Sequence, residues 1–144
     1  MSDDFPVTIF HNPACGTSRN ALAMIESAGY APTVVEYLQT GWKRSQLEAL
    51  LDAMHARPRD ILRKKGTPAA ELGLLDEAVS DDQILEAMVV HPILVNRPIV
   101  VTPRGVKLAR PSEVVWDLLA RQPATFTKED GEVVLRKQRD ANPR

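Results

Sequence analysis

The chain has one cysteine, Cys15. A lone thiol cannot close an internal disulfide, so no bridge staples this fold, and any disulfide the protein forms must involve a second molecule. Long apolar runs are also missing: no stretch approaches the roughly 20 residues of a membrane span. The acidic start Met1-Ser2-Asp3-Asp4 lacks the basic and apolar regions of a signal peptide. These absences lead to the expectation of a cytoplasmic protein with no membrane partner. Neither sign of charge dominates, the net charge being −1, so charge selects no partner class. Aromatics are only 5% of the chain, and the basic residues are dispersed rather than banded with them, so no nucleic-acid partner is expected. Three scattered histidines beside one cysteine offer no metal-ligand spacing. Neither G-x-x-x-x-G-K-S/T nor G-x-G-x-x-G occurs, which removes the case for a nucleotide. The expectation is no metal and no bound cofactor.

What is present centres on His11-Asn12-Pro13-Ala14-Cys15-Gly16-Thr17-Ser18-Arg19-Asn20. Upstream, Val7-Thr8-Ile9-Phe10 reads as a buried strand; downstream, Ala21, Leu22, Met24, Ile25 and Ala28 recur at helical spacing before Gly29. Cys15 therefore falls in a strand-to-helix turn. Unpaired N–H groups and the positive end of the helix dipole favour a thiolate there, together with any anion it meets. Thiolate character is what makes cysteine a nucleophile. Gly16 lets a ligand approach the backbone closely, and Thr17 or Ser18 is expected to cap the helix. His11 either lowers the thiol pKa as an imidazolium or hydrogen-bonds the turn.

At 144 residues and 44% hydrophobic, the chain suits one well-buried domain, expected over residues 1–135 with a polar tail at 136–144. Ala31-Pro32 leads into a second strand, Thr33 to Tyr37, giving a right-handed βαβ unit. Ser45-Gln46-Leu47-Glu48 has capping-box spacing for a helix to about Ala56, and Pro58 opens a short helix over Arg59 to Lys65, closed by Gly66. Thr67 to Val79 reads as irregular with helical pieces. Ser80-Asp81-Asp82-Gln83 starts a helix that runs to about Val90, where His91-Pro92 stops it. Ile99 to Thr102 and Val106 to Ala109 read as a hairpin around Pro103-Arg104-Gly105, and Pro111-Ser112-Glu113 opens a last helix through Leu119. Beyond Gln122 the chain turns polar and no element is expected. The order is that of an α/β, thioredoxin-like domain with a small mixed sheet and a helical insertion between its βαβ half and its hairpin-helix half.

Three arginines stand out as partners for a thiolate and an oxyanion: Arg63, Arg97 and Arg110. Forked guanidinium donors bind two oxygens at once, and Arg97 and Arg110 sit at the ends of the two hairpin strands. Around Cys15 the spacing excludes other thiol chemistries. Position 18 is Ser, so there is no C-x-x-C dithiol, and Ala21 stands where a C-x5-R phosphatase loop needs arginine.

These features together resemble the glutaredoxin-coupled arsenate reductases. The likeness is carried by His11 to Asn20, Leu62-Arg63-Lys64, His91 to Pro103, Arg110 to Val115 and Phe126 to Glu132. It implies Cys15 as nucleophile assisted by His11, and Arg63, Arg97 and Arg110 as an oxyanion clamp completed by the helix start at Gly16, Thr17 and Ser18. It also implies a cis peptide between Arg97 and Pro98. Arsenate and arsenite as substrate and product, glutathione as co-substrate, glutaredoxin as partner and a monomeric state are expected. Two other classes remain open at this point. Cys15-Gly16-Thr17-Ser18 is similar to the C-G-x-S of monothiol glutaredoxins that bind iron-sulfur clusters, and a regulatory thiol protein of the same fold would share the plan without arsenate turnover.

Overall fold

A computed structural model describes residues 5–123 and 125–135; the acidic start and the tail expected at 136–144 lie outside them. Strand β1 (Thr8–His11) runs into helix α1 (Gly16–Ser27), and β2 (Thr33–Glu36) returns parallel to β1 with Thr8 opposite Thr33. A helical insertion follows: α2 (Tyr37–Thr40), α3 (Arg44–Met54), a 3-10 turn (Pro58–Ile61), α4 (Asp81–Val90) and a second 3-10 turn (Pro92–Leu94). The hairpin β3 (Ile99–Thr102) and β4 (Gly105–Leu108) completes a mixed sheet of order β2-β1-β3-β4. A 3-10 helix (Ser112–Leu118) closes that unit, and a separate hairpin, β5 (Thr125–Thr127) and β6 (Val133–Leu135), follows. Among the described residues no helix is long and apolar enough to cross a membrane.

Strand periodicity explains the layering, because successive side chains point to opposite faces of the sheet. Ile9 and Val100 join Ala21, Met24 and Ile25 of α1 and Val115, Trp116 and Leu118 of the last 3-10 helix on one face. Phe10 and Ile99, one residue along, meet Leu47, Leu50, Ile84, Met88 and Leu94 of the insertion on the other. The central strand is thus buried on both sides. This is the thioredoxin-like plan read from the sequence, and it carries the C-terminal ends of β1 and β4 and the start of β3 to one edge.

Several elements depart from the sequence reading, each for a tertiary reason. Tyr37 does not end β2; it begins α2, because its buried hydroxyl donates to the Val95 carbonyl at 2.9 Å. Helix α3 starts at Arg44, one residue before the Ser45 cap expected, and Gln46 rather than Glu48 turns back to accept from the Lys43 N–H at 3.4 Å. The helix expected over Arg59 to Lys65 is only the 3-10 turn, since Leu62 pairs with Val95. Around that bridge the Arg63 N–H donates to Leu94 O at 2.7 Å and Asn96 N–H to Ile61 O at 2.8 Å. The final helix is 3-10 throughout. Ser80 caps α4 as expected, accepting from Gln83 N–H at 3.1 Å.

Candidate active site

Cys15 is itself the N-cap of α1, with extended backbone angles of −101° and 122°. Thr17 and Ser18 are inside the helix and neither caps it, so that expectation is corrected. The turn before the thiol is built by Asn12, whose side-chain oxygen accepts from Ala14 N–H at 2.9 Å while its carbonyl accepts from Cys15 N–H at 3.0 Å. Ser18 is fully buried and works inward: its hydroxyl oxygen accepts from Asn12 N–H at 3.1 Å and lies 2.6 Å from His11 Nδ1. The Ser18 hydroxyl and His11 Nδ1 are thus hydrogen-bonded to each other inside the turn. Burial holds His11 below the usual imidazole value of 6.5, Glu36 raising it and Arg19 lowering it to lesser degrees. His11 thus braces the turn through Ser18.

Cations come from the other side. Burial by itself pushes the Cys15 thiol up, but the Ser18 backbone N–H, then the Arg97 and Arg110 guanidinium groups, outweigh it and bring the pKa from 9.0 to about 7. Arg110 Nη1 donates to the Arg97 carbonyl at 3.0 Å and stands 3.7 Å from the sulfur. Both Arg97–Pro98 and Arg110–Pro111 are cis; only the first was expected. Arg63, placed by the Leu62–Val95 bridge, is near enough that burial, then Arg97 and Arg110, push its pKa down. So the structure brings Arg63, Arg97, Arg110 and Cys15 together from four separate segments.

Among the described residues no carboxylate forms an ion pair with these three arginines. Moreover Arg97 Nε and Nη1 are buried with no hydrogen-bond partner. Buried guanidinium donors left unmet are costly, and three like charges repel. A tetrahedral oxyanion presents the several acceptor oxygens and negative charge that would satisfy both demands. Over Gly16, an added Cβ would meet Glu129 Oε1 at 3.4 Å, so the approach made there within the chain is by a carboxylate from the β5–β6 turn. Two contributors escaped sequence reasoning. Tyr37 holds the segment leading to Arg97, its hydroxyl kept protonated as burial raises its pKa to about 12. Glu129 lies between β5 and β6, where the sequence predicts no element; the block Phe126 to Glu132 is the available signal.

Fold and site define a thioredoxin-like protein with a monothiol set against arginines. The chain belongs to the ArsC family, whose model matches residues 10–118. It is 58% identical over 130 residues to arsenate reductase ArsI2 of Synechocystis sp., covering 90% of this chain and 93% of the relative. Against an arsenate reductase of Escherichia coli the identity is 55% over 130 residues, covering 90% and 92%. The solved structure of an arsenate reductase from Vibrio cholerae superposes with a TM-score of 0.77 at 38% identity, covering 81% of this chain and all of that one.

Proposed function

We propose that this protein reduces arsenate to arsenite through a Cys15–arsenic adduct, with glutathione as co-substrate, glutaredoxin as the regenerating partner and no resident cofactor. The observation that supports this reading most is a thiolate-prone Cys15 under Arg97 and Arg110, two of whose donors are buried and unmet, in an ArsC-family chain. Arg63, Arg97, Arg110 and the N–H groups at Gly16, Thr17 and Ser18 hold the oxyanion. The Cys15 thiolate attacks arsenic, an As–O bond breaks, and the oxygen leaves as water after protonation. A glutathione thiolate then forms an S–S bond with the Cys15 sulfur while the S–As bond breaks. Both electrons of that bond stay on arsenic, which departs as arsenite. Glutaredoxin takes glutathione off Cys15 and restores the thiol. With one cysteine in the chain, the second sulfur has to come from outside.

Phosphate is nearly isosteric with arsenate, so selection rests on reactivity: a thiol reduces As(V) and not P(V). The test is arsenate turnover in the presence of glutathione and glutaredoxin, each omitted in turn. Cys15→Ser is expected to abolish turnover and to leave no arsenic on the protein by mass spectrometry. Normal turnover in that variant would remove Cys15 as nucleophile, and full turnover without glutaredoxin would remove the proposed coupling.

A further inference from the structure

Arg19, Asn20 and the block Phe126 to Glu132 take no part in the chemistry above, yet the fold brings them together at the rim of the site. The β5–β6 turn is closed by Lys128 N–H to Glu132 O at 2.8 Å and Gly131 N–H to Lys128 O at 2.9 Å. Its two neighbouring charges reach in different directions. Glu129 accepts from Arg19 through both oxygens, at 3.0 and 2.7 Å, and its backbone N–H donates to Asn20 Oδ1 at 3.0 Å. The other edge of the same Arg19 fork donates to the Pro13 carbonyl at 2.7 Å, two residues before the thiol. Lys128, only 10% exposed, places Nζ 2.8 Å from Glu113 Oε1, and Glu113 is in the first turn after Arg110.

The sheet leaves these two halves apart. The thiol follows β1, Arg110 follows β4, and β3 lies between them. A direct tie exists in the Ser112 hydroxyl, which donates to Thr17 O at 3.0 Å. We propose that Lys128 and Glu129 are positioning residues: a two-pronged staple that holds the Cys15 turn and the Arg110 segment at the separation that puts guanidinium against sulfur. The paired side chains of Arg19 and Glu129 are 45% and 46% exposed. Ion pairs so open to water add little to global stability, and a bidentate, shared fork instead specifies geometry.

The experiment uses full-length Glu129→Gln and Lys128→Met. It follows the pH midpoint of Cys15 alkylation by iodoacetamide, which needs neither arsenate nor an electron donor, beside kcat and KM for arsenate and Tm. Loosening the staple moves Arg110 off the sulfur, so both variants are expected to raise the alkylation midpoint. Both should also lower kcat/KM about tenfold, small displacements of a reacting group being costly. A purely electrostatic Glu129 predicts the opposite sign, because the Arg19 cation would be left unbalanced beside the thiolate. A midpoint that falls or stays put in Glu129→Gln overturns the proposal. So does a Lys128→Met variant whose Tm alone changes.

Discussion

Two groups of arginines in this molecule have opposite surroundings. Arg44, at the start of α3, is met by Glu48 of its own helix at 3.0 Å, by Glu86 of α4 at 2.6 Å and by Asp82 of α4. It ties two insertion helices together, and those carboxylates raise its pKa. Arg63, Arg97 and Arg110 gather with no carboxylate partner among the described residues, and part of Arg97 is buried with its donors unmet. An arginine answered within the chain serves the fold. Arginines crowded together with no carboxylate to answer them are kept at an electrostatic cost, and the thiol they face identifies what that cost serves.

The contrast can be broken most directly at the unanswered group. Arg97→Ala or Arg110→Ala is expected to lower kcat/KM for arsenate about 10²–10³-fold, the usual loss for one preorganised donor, and to raise the Cys15 pKa. Steady-state kinetics and alkylation would show both. A loss under about threefold would mean that the substituted arginine is not an oxyanion ligand. Next in size is the effect of pH. Since only the thiolate reacts, alkylation should rise with pH through a midpoint at about 7 rather than at 9.0. Reactivity is accordingly lost as pH falls through 7.

Ser18→Ala tests whether the turn is held independently of the cations. It strips partners from the Asn12 N–H and His11 Nδ1, both buried, at an expected cost of about 1–3 kcal/mol in urea unfolding. His11 adds a pH signature. Its folded pKa is depressed, so its contribution to stability is complete above 6.5 and is lost as pH falls from there through the folded value. Unfolding curves at successive pH values should lose that decline in His11→Asn. The smallest effect is expected at the answered arginine: Arg44→Ala should leave kcat/KM within about twofold, with only a slight fall in Tm. A large kinetic loss there would erase the distinction between the two groups.

Local signals carried much of this picture. The apolar spacing on both sides of Cys15 located the strand-to-helix turn, Ser80 marked the start of α4, and Pro103-Arg104-Gly105 marked the hairpin. Signals that depend on distant pairing were not legible. Nothing near Leu62 shows that it bridges to Val95, so the helix expected there is cut short and Arg63 is delivered elsewhere. Nothing in Thr125 to Leu135 stands out as a hairpin: its strands are three residues each, and their grip comes from Arg19, Asn20 and Glu113, up to 110 residues away.

By itself, then, the sequence determined a lone thiol at a helix start, the exclusion of internal disulfide chemistry, the order of the main elements and the three arginines worth watching. Those follow from residue type and short-range periodicity, which act within a few residues. Only the tertiary structure decided that Ser18 turns inward to His11 instead of capping, that Arg97 is left with unmet donors, and that Arg110 reaches the sulfur. Each of these depends on which distant backbone carbonyl or charge is brought within hydrogen-bonding distance, and chain packing alone sets that.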